Sequence, residues 1–295
     1  MSGAATLRAL LDRDSMLVAP GAYDCITARL VEQAGFDAVY MTGAGTAATL
    51  GYPDYGLTTM TEMVDNARRM TDVLSVPLVT DADTGFGNEL NMARTVRAYA
   101  RAGVAALHLE DQAFPKKCGH LENKQVIPAD DWLAKIRAAV GERGDGDLLV
   151  IARTDSRAVL GLDEAVRRSN LALAAGADMV FLEAPESLEE IEAIPSLVRG
   201  RCLLNLVRGG IGPLVSLSEA ERFGYRMAIV PGMLFAAVVG TSERLLKELR
   251  DTGLVPVPPG DLTIKEAFRR FGSEEWDGIA ARYAPPVAPT SGQGD

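Results

Sequence analysis

Eight short apolar runs, six of them closing on a polar or charged residue and each followed by a helical pattern, limit what this chain can fold into. The runs cover 17–20, 38–41, 77–80, 105–109, 148–152, 179–182, 202–204 and 227–230. They are continuous rather than alternating, as expected of parallel strands covered on both faces. Ala34-Gly35, Ala102-Gly103, Ala175-Gly176 and Phe223-Gly224 each stop a helical pattern shortly before a strand, the position where a C′ glycine belongs. Thr59/Glu62, Ser187/Glu190 and Ser216/Glu219 have capping-box spacing. Eight βα units over about 230 residues predict an α/β protein, a TIM-type (β/α)8 barrel. A doubly wound open sheet is the alternative, but it would more often carry one dominant glycine-rich turn after the first strand.

The barrel reading spans 1–250, followed by an arm at 251–283 and a tail at 284–295 that is rich in Pro, Ser and Gly and is expected to be disordered. The arm opens on a Pro-rich stretch. It continues with Phe268, Phe271, Trp276, Ile279 and Tyr283 at helical spacing. Such an apolar stripe needs a surface. Its own barrel and a neighbouring subunit, reached by arm exchange, are equal candidates.

In a barrel all strands end on one rim, and chemistry is done there. The strand ends supply Tyr40 and Thr42, Asp81 and Asp83, His108 and Glu110, then Arg153, Glu183 and Asn205. Any one of these could be a turn or cap residue, but the set is hard to reconcile with simple solvation. Carboxylates beside apolar runs lose water and need cations. Asp81 and Asp83 flank Ala82, so extended geometry would point them the same way. With Glu110 they could offer oxygens to Mg²⁺, or to Mn²⁺. With only two histidines, His108 and His120, the composition argues against a His-rich zinc or copper site. The 42–45 turn offers backbone N–H groups to an anion, and Arg153 can grip a carboxylate with two parallel bonds or pair with a rim acid such as Glu183.

The fourth strand leads into Lys116-Lys117-Cys118-Gly119-His120, with two cations beside a thiol. Flanking positive charge should lower the thiol pKa. Cys25, Cys118 and Cys202 are far apart and odd in number, which argues for free thiols in a reducing cytoplasm. A formal charge of −10 disfavours nucleic acid and anionic membranes as partners. There is no long apolar run for a membrane span and no secretory leader pattern.

The Lys-Lys-Cys-Gly-His stretch, Asp81-Ala82-Asp83-Thr84-Gly85 and His108-Leu109-Glu110-Asp111-Gln112 together resemble the isocitrate lyase/phosphoenolpyruvate mutase superfamily over about residues 5–250, a motif-level likeness. The branch they resemble is the 2,3-dimethylmalate lyase and 2-methylisocitrate lyase group. That resemblance implies an α/β barrel whose C-terminal helix swaps between subunits of a homotetramer, a dimer of dimers. It implies a Mg²⁺-dependent carbon–carbon lyase acting on a small di- or tricarboxylate. Asp83 would lie nearest the metal, with Asp81, Glu110 and Asp54 reaching it through water. Thr42, Gly43, Ala44 and Arg153 would hold substrate carboxylates. Tyr40, His108, Lys116, Glu183 and Asn205 would line the pocket, and Cys118 would be the proton donor on a closing loop.

Methylisocitrate lyases usually carry Ser-Gly-Gly-Gly where this chain has Thr42-Gly43-Ala44-Gly45. After the strand-seven Asn they carry Thr-Glu-Phe-Gly, against Leu206-Val207-Arg208-Gly209-Gly210 here. An Arg in place of an acid favours a substituted malate, of the 2,3-dimethylmalate or 2-alkylmalate type, over a tricarboxylate. The rivals are a 2-methylisocitrate lyase, an oxaloacetate hydrolase, a carboxyphosphonoenolpyruvate-type phosphonomutase and, in another class, a non-catalytic ligand-binding barrel.

Overall fold

The computed structural model describes residues 3–144 and 148–285. The chain runs α1 (Gly3–Leu11), β1 (Leu17–Ala22), α2 (Cys25–Gln33), β2 (Val39–Met41), α3 (Gly43–Thr49), α4 (Met60–Thr71) and β3 (Leu78–Asp81). It continues with α5 (Glu89–Arg101), β4 (Ala106–Glu110), α6 (Ala129–Glu142), β5 (Leu149–Thr154), α7 (Arg157–Leu160), α8 (Leu162–Ala174) and β6 (Met179–Leu182). Then come α9 (Leu188–Leu197), β7 (Cys202–Asn205), α10 (Leu217–Phe223), β8 (Met227–Val230), α11 (Met233–Thr252), α12 (Ile264–Arg270) and α13 (Ser273–Tyr283).

All eight strands pair in parallel and in order, and β8 closes on β1 with Leu17 opposite Met227. The barrel and its strand order are as the sequence implies. The apolar runs serve two packed layers. Val39, Leu107, Leu109, Val150 and Val180 face outward onto Met63, Met92, Tyr99, Trp132 and Ile136 of the surrounding helices. Ala19, Val79, Ala106, Ile151, Phe181 and Ile229 fill the barrel interior. Each large side chain withdrawn from water in these layers contributes roughly 1.5–3 kcal/mol.

Local signals set the helix ends. Thr59 and Glu62 form the expected capping box of α4, and Ser216 and Glu219 that of α10. Ser187 caps α9 through the Glu190 N–H, but the box is not closed. The Glu190 carboxylate is drawn away by Arg157, at 2.9 and 2.6 Å, and by the Glu186 N–H. An ion pair has outbid a local cap.

Helices α1, α3 and α7 are not foreseen by the sequence pattern, and α1 is the one that packs on the barrel interior. Helix α1 buries Leu7, Leu10 and Leu11 against the interior layer at the strands' N-terminal end. Arg8 holds Asp178 at 2.9 Å, and Arg226 bonds the Leu11 carbonyl at 3.1 Å. No helix among the described residues is long and apolar enough to cross a membrane.

Chain contacts divide the molecule into Met1–Val238 and Val239–Asp295. The second unit holds the remainder of α11 with α12 and α13. The single helical stretch expected at 264–283 is two helices, broken at Gly272 with φ of 86°. The tail assigned to 284–295 falls outside the described residues from 286 onward.

Candidate active site

The polar strand ends meet at the C-terminal mouth. Tyr40, Thr42, Ala44, Asp54, Asp81, Cys118, Arg153, Glu183 and Asn205 line one cavity of about 120 Å³. His108, Glu110, Asp83 and Lys116, also expected at the site, are almost wholly buried beside it. A larger hollow of about 760 Å³ lies between Leu57, Phe86, Asn88, Phe114 and Lys135. It carries none of the strand-end acids, so size does not mark the chemistry here.

Asp81 ends β3 and accepts the Asp83 N–H at 2.9 Å. The sequence reading set both acids in extended backbone. That is corrected: Asp83 has φ of 47°, a left-handed conformation that costs a non-glycine residue on the order of 1 kcal/mol or more. The two acids converge through this turn rather than through strand alternation. Gly43 must be glycine because a Cβ there would strike the Asp81 carboxylate. The 42–45 stretch is the start of α3, with Thr42 as its cap, so its first-turn N–H groups have no partner within the helix.

Lys116 is folded inward. Its ammonium pairs with Asp54 and lies 2.7 Å from Asp83 Oδ1. Burial alone would lower its pKa, but Asp83, Asp81, Glu110 and Asp54 together push it well up, so it stays charged. Arg153 Nε lies 2.9 Å from Asp155 Oδ2 and 3.2 Å from Glu110 Oε2, with Nη2 3.8 Å from Glu183. Burial would raise Asp155, yet Arg153 and Lys124 hold it down at about 2. The Asn205 amide nitrogen also donates to Glu183, lying 3.2 Å from each of its carboxylate oxygens. His120 Nε2 is 3.2 Å from Glu183 Oε1 but lacks hydrogen-bond alignment. Asp155 and His120 were not singled out as site residues; their closeness in sequence to Arg153 and Cys118 was the available signal.

Tyr40 and His108 form a hydrogen bond of 2.8 Å. Burial, then the neighbouring Arg153 charge, lower the His108 pKa to about 3, and burial raises that of Tyr40 well above the phenol value. Both are therefore neutral near pH 7. The sign of the linked stability follows. Between about pH 3 and 6.5 the unfolded chain binds a proton that native His108 refuses, so native stability falls as pH is lowered through that window. In chelator-treated protein, His108→Asn should lose about 2–3 kcal/mol less than wild type between about pH 7 and about pH 4.5. Paired urea titrations measure this; equal losses would refute it. Asp111, raised by burial and by Asp155 to about 6, titrates in the opposite sense but in both proteins.

The thiol expectation is corrected. Cys118 has its pKa raised, not lowered, mainly by burial. The cation meant to lower it, Lys116, is committed to Asp54 and Asp83. Cys118 N bonds the Asp54 carbonyl at 3.1 Å, which holds the loop against the mouth. A protonated thiol at the edge of the cavity is a proton donor, not a standing nucleophile.

The acids fit a hard divalent cation. Asp83 Oδ1 and both Glu110 oxygens are buried without a hydrogen bond, and burial raises the pKa of Asp81, Asp83 and Glu110. Oxygen-rich, charge-deficient surroundings of this kind suit Mg²⁺. Among the described residues no three acidic, thiol or imidazole groups are already gathered as a metal cage. The Lys116 ammonium lies among the acids instead.

Arg208 is exposed and does not line the cavity, whereas Val207, Pro231 and Phe235 do. The cavity thus presents an apolar wall at this side rather than the added positive charge expected from Arg208.

A closed barrel with buried acids, one guanidinium and a thiol-bearing loop at its mouth defines an enzyme of the α/β-barrel class. The model of the family described as phosphoenolpyruvate phosphomutase matches residues 7–250. The chain belongs to that family, within the isocitrate lyase/phosphoenolpyruvate mutase superfamily. It is 48% identical over 232 residues to a 2,3-dimethylmalate lyase of Eubacterium barkeri, covering 78% of this chain and 80% of that one. Its structure is similar to that of oxaloacetate acetylhydrolase bound to 3,3-difluorooxalacetate, with a TM-score of 0.93, 38% identity, and 97% and 99% of the two chains covered. It is also similar to phosphonopyruvate hydrolase in complex with oxalate and Mg²⁺, with a TM-score of 0.86, 30% identity, and 97% and 100% covered.

Proposed function

We propose that this protein is a Mg²⁺-dependent carbon–carbon lyase that cleaves a substituted malate, of the 2,3-dimethylmalate or 2-alkylmalate type, into a 2-oxo acid and a carboxylate. The protonated Cys118 thiol at a cavity shared with Arg153 carries the reading. The 48% identity to a 2,3-dimethylmalate lyase supports it. The cavity of about 120 Å³ supports a substrate smaller than a tricarboxylate, and Val207, Pro231 and Phe235 offer its alkyl groups apolar contact.

Arg153 and the first turn of α3, from Thr42 through Gly43 and Ala44, hold the substrate carboxylates. The neutral Tyr40–His108 pair passes the proton of the 2-hydroxyl out to solvent, and the thiolate that Cys118 leaves after protonating the carbon recovers a proton from solvent at the end of the cycle. As C2 becomes a carbonyl, the C2–C3 bond breaks and its electron pair passes to the carboxylate-bearing fragment as an enolate. Cys118 protonates the carbon of that fragment, and Lys116 and Arg153 offset the charge that develops. Asp83, with Asp81, Glu110 and Asp54, would hold the ion. Bound Mg²⁺ supplies Lewis-acid polarisation of the hydroxyl and carboxylate oxygens. Glu183 and Asn205 orient Arg153 and the cavity wall.

The enzyme works as a cytoplasmic homotetramer. Phe268, Trp276 and Tyr283 are 62%, 67% and 75% exposed in the single chain, which supports a partner subunit covering them. Sedimentation of the full chain as a monomer would refute that part.

A coupled assay for 2-oxo acid release, with Mg²⁺ and a panel of 2,3-dimethylmalate, methylisocitrate, isocitrate and oxaloacetate, tests the activity. Turnover should be fastest on dimethylmalate and should stop with chelator. Oxalate release from oxaloacetate alone would favour the hydrolase reading that the acetylhydrolase likeness supports. No turnover of any would sink both.

A further inference from the structure

The loop that carries Cys118 is tied to the barrel by a residue that lies six positions further on. Lys124 is buried, with its side chain only 2% exposed. Its ammonium bonds the Gly119 carbonyl and lies 2.9 Å from Asp155 Oδ1. Asp155 is fully buried and is itself the partner of Arg153 at 2.9 Å. One ammonium therefore joins the backbone next to the thiol to the carboxylate that orients the cavity's guanidinium.

The fit leaves no slack. A Cβ on Gly119 would lie 2.5 Å from Arg153 Nη2 and 2.5 Å from Glu183 Oε1, so the loop backbone rests directly on that ion pair. On the near side of the loop, Gln112 grips Lys117 by both its carbonyl and its N–H, at 2.8 and 3.1 Å. That clasp lies within the loop's own hairpin. On the far side of the loop His120 accepts the Ile211 N–H at 3.2 Å, and Lys124 makes an ion pair with Asp155 just past the end of β5; among the described residues Asp155 has no other ion pair with the loop.

We propose that Lys124 is a positioning residue. By bonding the Gly119 carbonyl and Asp155 together, it holds the Cys118 thiol over the cavity in register with the Arg153 guanidinium. It touches neither the thiol nor the cavity, and acts through the backbone and through Asp155. This rests on the reading of Cys118 as the proton donor, but its test reads the thiol itself rather than turnover, so the two fail separately.

The test is the rate at which iodoacetamide alkylates each cysteine of the full-length protein, followed by peptide mass spectrometry. A charge-assisted hydrogen bond shifts an equilibrium by on the order of tenfold or more. Lys124→Met should therefore speed alkylation of Cys118 by about tenfold, while Cys25 and Cys202 keep their wild-type rates. Lys124→Gln, which retains an N–H donor without the charge, is the second variant if the Met protein does not fold. An unchanged Cys118 rate overturns the proposal. So does an equal rise at all three cysteines, which would mean general loosening rather than release of this loop.

Discussion

Cys118→Ser should fold as the wild type does and lose 2-oxo acid release by about 10²- to 10⁴-fold, the usual contribution of a positioned proton donor. The substitution changes one atom on a half-buried loop residue, so the packing is nearly unaltered. The acidity is not. A serine hydroxyl yields its proton far less readily than a thiol, even a thiol whose pKa burial has raised. Because Arg153 and α3 would still hold the carboxylates, the loss should fall on kcat with KM little changed. The coupled assay reads both. A serine variant with full turnover would remove the thiol from the reaction.

Arg153→Met should cost about 3–5 kcal/mol of stability, the range for removing one partner of a buried ionic network. Asp155, Glu110 and Glu183 all lie within 3.8 Å of the guanidinium, and none has the solvent to replace it. Lys124 would remain beside Asp155 at 2.9 Å, so Glu110 and Glu183 bear most of the loss. Urea unfolding should show a lower midpoint with an unchanged slope. A midpoint equal to that of wild type would mean that these acids are already protonated, and the proposed charge balance would then be wrong.

The barrel was legible because its information is local and repeated. Each apolar run speaks for its own few residues and eight of them agree, with four glycine stops marking the helix ends between them. Helix α1 was missed because its apolar side shows its purpose only once a barrel end exists to receive it. The site was legible as a set of strand ends, since strand direction alone fixes which residues reach the mouth. The pair contacts were not. Nothing in Lys116-Lys117-Cys118 says that the first lysine turns inward to Asp54 and Asp83, so the thiol pKa was read in the wrong direction. Asp83 likewise reaches its place through a left-handed backbone that strand alternation does not foresee. The reach of Lys124 to Asp155 joins residues 31 apart in sequence and has no motif to announce it.

Helix α1 stoppers the far end of the cylinder with Leu7, Leu10 and Leu11. Among the described residues that end is packed with apolar side chains, and the cavity opens at the opposite mouth. Two fragments born from one reactant would leave by the doorway through which it came, beneath the thiol-bearing loop. Departure is then a queue through one mouth, and if the Cys118 loop must lift to let products pass, that opening rather than bond breaking would set the pace of the cycle.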